Sequence, residues 1–348
     1  MAQPASPSGW PAWWLRRGLL TWVLWPLSLL FFALTTFRRA LYRLGLLKTL
    51  RVAVPVVVVG NLTVGGSGKT PLIAALARGL QQMGWHPGII SRGYGRNPTD
   101  AASLAVQENS DPALCGDEPV LLARLTGCPV QVGRRRVQAA RDLLAAHPAV
   151  DVLLSDDGLQ HLALARDVEL VVVDQRLWGN GLLLPAGPLR ELPGRRRDAT
   201  LGPAEALQRI DGGGRHVVLM RALDAFYRVV GDERLSPAQF AQRFSGQPLG
   251  ALAGIGHPGQ FFSMLRAAGL QVSGVAVGDH KPLAETDFAA FDASCPVLIT
   301  EKDAIKSVHL SPALRERLWV VGLRLELPDD LLPWLHQKLE SARGHPTS

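Results

Sequence analysis

Charge is scarce in this chain of 348 residues: Asp, Glu, Lys and Arg together make up 19%, against about 25% in an average soluble protein. Apolar residues reach 47%, which excludes a disordered or low-complexity chain. Cysteine is nearly absent. Cys115, Cys128 and Cys295 are odd in number, scattered and without a CxxC pair. That rules out a disulfide framework or a zinc cluster and leaves reduced, buried thiols in a cytosol-facing protein. No internal repeat is visible. The few charges are unbalanced: 37 Lys+Arg against 30 Asp+Glu leave +7, with a pI near 9.8. Such an excess points to an anionic counterpart, whether nucleic acid, acidic lipid or a phosphorylated substrate. The length suits two domains with a sizeable core.

One local extreme breaks the average. Residues 18–37 read GLLTWVLWPLSLLFFALTTF, without a charge; as a helix they would span about 30 Å, the thickness of a bilayer's hydrocarbon core. Trp13, Trp14, Trp22 and Trp25 crowd its first half, in the manner of an interfacial belt. Arg16 and Arg17 flank one end, and Arg38, Arg39, Arg43, Lys48 and Arg51 the other. This asymmetry places the C-terminal side in the cytoplasm. No A-x-A-like site follows, as a cleaved signal peptide would require. Pro26 in the middle leaves two geometries open, a spanning helix and one lying in the interface. No later segment is comparable, so the rest reads as a globular body on one side.

Beyond residue 50, β-branched runs alternate with helical periodicity. Val52–Val59, Gly88–Ile90, Val130–Val132, Val150–Leu154 and Val168–Val173 read as strands. Helices are expected from Thr70, at Pro119–Leu125 and at Arg134–Ala146. The alternation predicts an α/β fold with a doubly wound, mostly parallel sheet. The Pro-, Gly- and Arg-rich stretch Leu182–Gly214 reads as a loop, with a boundary near 210. A smaller second α/β domain follows, with strands at Val217–Met220, Leu252–Gly254, Val272–Val277, Val297–Thr300 and Trp319–Leu325 and a closing helix at Asp329–Leu339. The expected division is thus a membrane-associating segment at 1–50, a nucleotide-binding domain at 51–210 and a second domain at 211–348.

The firmest motif is GNLTVGGSGKTP, residues 60–71. A buried strand entering a Gly-rich turn and then a helix lets backbone N–H groups and the helix dipole close around phosphate. Thr63, Val64, Gly65, Gly66, Ser67, Gly68, Lys69 and Thr70 would form the cradle. Lys69 reaches the β- and γ-phosphates and the Thr70 hydroxyl holds Mg²⁺. Thr63 stands where the usual G-x-x-x-x-G-K-S/T pattern has glycine.

The metal needs an acidic partner at a neighbouring strand end, and Ser155-Asp156-Asp157-Gly158-Leu159-Gln160-His161 supplies two carboxylates after Val150–Leu154. A capping turn would use the same residues; Gln160 and His161 suit loop bonding as well as substrate contact. Gly116-Asp117-Glu118-Pro119 is a second acidic pair, which on spacing alone reads equally as helix-dipole partners. Ser91-Arg92-Gly93-Tyr94-Gly95-Arg96 offers two arginines to anionic groups. His280, in Asp279-His280-Lys281, is by itself more ordinary as a structural histidine. Thr300-Glu301-Lys302-Asp303 is similar to the guanine-reading N/T-K-x-D element, but its lysine is displaced by one residue.

Taken together and in this order, GNLTVGGSGKTP (60–71), SRGYGR (91–96), GDEP (116–119), SDDGLQH (155–161), LLPAGPLRE (183–191), GIGHP (254–258), GDH (278–280) and TEKDAIK (300–306) resemble the tetraacyldisaccharide 4'-kinase family, the lipid A 4'-kinases of Gram-negative bacteria. The resemblance spans nearly the whole chain and includes the apolar N-terminal segment. It implies a P-loop kinase-like fold and ATP- and Mg²⁺-dependent phosphorylation of the 4'-hydroxyl of a tetraacylated glucosamine disaccharide 1-phosphate, forming lipid IVA at the inner membrane. It implies Asp117 as the catalytic base, assisted by His280, with Asp156 and Asp157 organising the metal. Arg92, Arg96 and Arg190 are candidate contacts to the 1-phosphate. The chain departs from the family where Lys281-Pro282-Leu283 follows the DH pair and where Leu159 replaces the more usual Phe.

Two other classes compete. A regulatory ATPase of the deviant Walker type would need a signature lysine where Val64 stands. A nucleic-acid-binding NTPase would account for the pI and the runs Arg134–Arg136 and Arg195–Arg197, but no aromatic-interleaved basic surface accompanies them. The expected partners are therefore a lipid A disaccharide precursor and inner-membrane lipid, with no nucleic acid and no obligate protein partner. The seven basic residues within Arg16–Arg51 match the net excess and read as an anchor to an acidic membrane.

Overall fold

The computed structural model describes residues 10–66, 68–93, 103–279 and 281–343. Eight strands form the first sheet: β1 (Val56–Gly60), β2 (Pro87–Ser91), β3 (Leu104–Val106), β4 (Val130–Val132), β5 (Val152–Asp156), β6 (Val168–Val172), β7 (Ala199–Gly202) and β8 (Arg215–Val218). They lie in the order β3-β4-β2-β5-β1-β6-β7-β8, parallel throughout except β3. The pleat sends alternate side chains to opposite faces, so Val57 and Val59 enter one core with the helices Lys69–Gln82 and Asp117–Thr126. Val56 and Val58 enter the other core with Ile90 and Leu153. The doubly wound reading follows from this two-sided burial.

The second sheet contains β9 (Met220–Arg228), β10 (Arg234–Leu235), β11 (Pro248–Ala253), β12 (Gln271–Ala276), β13 (Val297–Thr300) and β14 (Leu318–Glu326). Its order is β10-β9-β14-β13-β11-β12, with β11 to β14 parallel and β9 antiparallel to β14. Phe226, Phe240 and Trp319 pack against one face, and Phe288 and Leu310 against the other.

Three details differ from the sequence reading. The stretch expected to be a loop carries β7, four buried residues between β6 and β8, too short to show a period. Because β8 still belongs to the first sheet, the sheets change over at Leu219 and not near 210. The closing helix, Leu331–Arg343, sits in the first lobe's core through Leu331, Leu335 and Leu339, although the chain enters it from the second sheet.

The apolar N-terminal segment is a helix from Leu19 to Arg43 that runs unbroken through Pro26. Its most apolar window has a mean hydropathy of 1.8 and is 11% buried. The stripe that meets the body is Thr21, Leu24, Ser28, Phe31, Thr35 and Arg39, at helical spacing. Ser28 Oγ donates to Leu183 O (2.8 Å) and accepts from Ala186 N (3.0 Å); Arg39 pairs with Glu191. The usual polarity of a surface helix is thus inverted. Leu19, Trp22, Val23, Leu30, Leu34 and Phe37 point outward, each more than half exposed. Trp14 does not join that outer face. Its Nε1 donates to Pro185 O at 3.0 Å, while Trp22 and Trp25 stay exposed.

Candidate active site

In a parallel sheet the carboxyl ends of the strands converge on one edge, where loops can meet a ligand. Here β1 delivers the phosphate loop, β2 Arg92, β5 Asp156 and Asp157, and β6 Asp174. The second sheet presents loops to the same cleft. A Cβ at Gly256, after β11, would lie 3.4 Å from Gly66 O, and one at Gly66 would lie 3.9 Å from Asp279 Oδ2, after β12. The cleft is lined by Gly66, Gly68, Lys69 and Thr70 from one lobe and by His257, Asp279 and Glu301 from the other.

The loop's shape is held from outside. Gly65 (φ 99°) and Gly68 (φ 83°) adopt left-handed backbone, where a side chain would be strained. Thr63, in the position of the missing glycine, bridges to Leu189, and Val64 N donates to Pro188 O at 2.9 Å. The LLPAGPLRE segment is therefore a brace for the loop. Trp10 Nε1 donates to Val64 O (3.0 Å), Asn61 Nδ2 to Gly65 O (3.0 Å) and Arg176 Nη2 to Gly66 O (3.0 Å). Arg176 also stacks on Trp10, 4.0 Å from the ring centre.

Lys69 Nζ donates to Asn61 Oδ1 (3.3 Å) and lies 3.5 Å from Asp157 Oδ1. Burial favours a neutral Asp157, yet Lys69 and Arg190, whose Nη1 is 2.8 Å from Asp157 Oδ2, hold its pKa at about 2. Its neighbour goes the other way. Asp156 is 2% exposed and accepts from Ser91 Oγ at 2.9 Å; burial, with nearby Glu118, pushes its pKa up to about 6. Thr70 is buried at the start of the loop's helix. The Oδ1 atoms of Asp156 and Asp157 have no hydrogen-bond donor among the described residues. Two carboxylate oxygens of this kind suit a hard, oxygen-seeking cation that keeps waters and substrate phosphates in its remaining positions.

Asp117 opens the helix Asp117–Thr126 after Gly116 (φ 91°). Lys306 Nζ, reaching from the second lobe, lies 3.9 Å from Asp117 Oδ2 and 3.4 Å from Asp303 Oδ1. Lys302 bridges the lobes as well, donating to Asp279 Oδ1 (2.9 Å) and Glu118 Oε1 (3.2 Å). TEKD does not display its lysine and aspartate for reading a base. Thr300 caps its helix, and the fully buried Asp303 accepts from Gly254 N (3.0 Å) and Thr300 Oγ1 (2.7 Å).

Of the other expected residues, Arg92 is exposed at the end of β2, and Arg190 is bound to Asp157 rather than offered free to substrate. Ser67, Arg96 and His280 lie outside the described residues. His161 is a loop residue held neutral: burial, then Arg136 and Arg92, lower its pKa to about 4. Sequence reasoning passed over Asn61, Asp174, Arg176, Arg221 and His257. His257 Nε2 stands 3.2 Å from Asp174 Oδ2. Against the burial that would raise it, His257 and Arg176 keep the Asp174 carboxyl well below the usual range. GIGHP was the visible trace of this pair.

A P-loop on a doubly wound sheet, two acids at the next strand's end and a second lobe closing over them define a P-loop phosphotransferase. Comparison with known proteins narrows the class. The family model described as tetraacyldisaccharide-1-P 4'-kinase matches residues 20–340. The tetraacyldisaccharide 4'-kinase of Herminiimonas arsenicoxydans is 46% identical over 95% of this chain and 94% of its own, and that of Azoarcus sp. (strain BH72) is 48% identical over 90% of each. A crystal structure of LpxK from Aquifex aeolicus in complex with ATP superposes with a TM-score of 0.75 at 28% identity, covering 92% of this chain and all of that one. The chain belongs to the tetraacyldisaccharide 4'-kinase family.

Proposed function

We propose that this protein transfers the γ-phosphoryl group of ATP to the 4'-hydroxyl of a tetraacylated glucosamine disaccharide 1-phosphate, on the cytoplasmic face of the inner membrane. The observation that supports the reading is a cleft lined by Lys69, which pairs with Asp157, and by Glu118, the neighbour of Asp117, in a chain of this family. Phosphoryl transfer asks a protein mainly for positioning and charge neutralisation. Lys69 and the loop amides take the phosphate oxygens. Thr70, Asp156 and Asp157 would hold Mg²⁺, which supplies charge neutralisation to the phosphates when bound. Arg190, tied to Asp157 and the loop brace, fixes that carboxylate. Asp117 accepts the proton of the attacking hydroxyl, with His280 as its proposed partner; Arg92 and Arg96 remain candidates for the 1-phosphate. The outward apolar face of the N-terminal helix suits contact with lipid, where the acyl chains stay.

The direct test supplies purified full-length protein with MgATP and radiolabelled lipid disaccharide monophosphate. Appearance of 4'-phosphorylated lipid is expected, and its absence where ATP binds ends the reading. Asp117→Asn should lower kcat by about 10²–10⁴-fold, the usual contribution of a general base, with ATP affinity within a few fold. Equal loss of ATP binding would remove Asp117 from that role.

A further inference from the structure

The cations of the cleft differ in how they are satisfied. Lys69 and Arg190 face Asp157, Arg176 faces Asp174, and Lys302 faces Glu118 and Asp279. Arg221 has no carboxylate within ion-pair distance among the described residues. Its Nη1 donates to a neutral group, Gln260 Oε1, at 2.7 Å.

Arg221 is the second residue of β9, just past the changeover between the sheets, and its side chain crosses into the first lobe. A Cβ at Gly68 would collide with Arg221 Nη2 and lie 3.3 Å from Cζ, so the guanidinium rests directly on the glycine before Lys69. It lines the cleft with Gly66, Gly68, Lys69 and His257. Burial lowers its pKa, and the more distant Asp174 only partly opposes this. The side chain is half-buried with a neutral amide as its hydrogen-bond partner, and its planar fork suits phosphate oxygens.

We propose that Arg221 is a catalytic arginine supplied in cis by the second lobe, contacting the β–γ end of the bound nucleotide and stabilising the charge that develops there during transfer. The inference rests on the loop being the ATP site. In the step it serves, the 4'-oxygen bonds to the γ-phosphorus, the bond from that phosphorus to the β–γ bridging oxygen breaks, and the hydroxyl proton goes to Asp117. The bridging electron pair leaves on ADP. Arg221 forms no covalent bond; it neutralises the bridging and γ oxygens as negative charge shifts onto them.

The test compares Arg221→Ala and Arg221→Lys in the full-length protein, reading MgADP affinity, kcat at saturating MgATP and thermal midpoint. An arginine acting on the transition state should leave the MgADP Kd within about 3-fold and lower kcat by 10²-fold or more, since such arginines contribute about 10³–10⁵. Lysine should restore only part of the loss, and added guanidinium ion should raise the alanine variant's kcat. Unchanged kcat, or MgADP affinity falling as far as kcat, would overturn the proposal. Should the alanine variant fail to fold, the lysine variant decides by the same split. Wild-type protein run alongside separates the two readings: if it transfers no phosphate, the kinase assignment fails before Arg221 is in question.

Discussion

At the scale of single residues, the acidic pair after β5 shows how one strand end produces two chemistries. Asp157 faces two cations and is ionised throughout the physiological range, whereas Asp156 is buried beside Glu118 and carries a pKa of about 6 instead of 3.8. A carboxyl raised in this way favours folding while protonated and loses that contribution as pH rises through 6. Above that pH, a buried charge waits for a cation. Asp156→Asn keeps an acceptor for Ser91 Oγ and removes the charge. Without nucleotide it should melt a few degrees higher than wild type at pH 8, consistent with about 1–3 kcal/mol for a shift of this kind. The difference should shrink below pH 6 and vanish near pH 4, while Mg²⁺-dependent transfer is lost. Equal midpoints at pH 8 would mean that the ionised carboxylate costs the fold nothing.

Among the elements, the N-terminal helix gains most from structure over sequence. Its stripe from Thr21 to Arg39 follows the body for about 27 Å, at about 1.5 Å per residue, almost the full thickness of a hydrocarbon core. A helix docked along that length by Ser28 and Arg39 has one flank on protein and its apolar flank turned outward. Ser28→Val breaks the bonds to Leu183 O and Ala186 N at a cost of about 1–3 kcal/mol. It should speed tryptic cleavage after Arg38 and Arg39 without reducing vesicle binding. Leu30→Asp with Phe37→Asp should do the reverse, weakening vesicle binding at unchanged cleavage rate. If the two pairs of effects do not separate, the flanks have been misassigned.

The same helix shows where legibility in the sequence ends. Apolar length was plain, because composition over twenty residues is a local signal; which side met protein was not, because it depends on Glu191 and on the carbonyl of Leu183. The P-loop and the paired acids were legible for the first reason. Each is a run of adjacent residues between a buried strand and a turn. Arg221, Arg176 and His257 were not, since isolated residues acquire meaning only when two sheets bring them to one loop. β7 was hidden by its length, whereas the displaced lysine of TEKD already spoke against a base reader, in keeping with Thr300 capping its helix and Asp303 being buried.

For the whole molecule, the decisive feature is how the lobes are joined. The chain crosses from first lobe to second at Leu219 and returns after β14 to place Leu331, Leu335 and Leu339 in the first lobe's core. Trp85 Nε1 donates to His336 Nδ1 at 3.0 Å, and Arg343 reaches Asp151 at 2.7 Å, fastening that helix further. A division of 51–210 from 211–348 would therefore strip the first lobe of β8 and of a helix that covers the loop's own helix. Neither piece should be an independent folding unit. In calorimetry the intact chain should melt in one transition. Leu335→Ala, which leaves a cavity worth about 2–5 kcal/mol, should shift that whole transition and weaken MgATP binding, although residue 335 lies in the part of the chain following the second sheet. Two resolved transitions, with only the one unaffected by nucleotide moving in Leu335→Ala, would show instead that the closing helix belongs energetically to the second lobe.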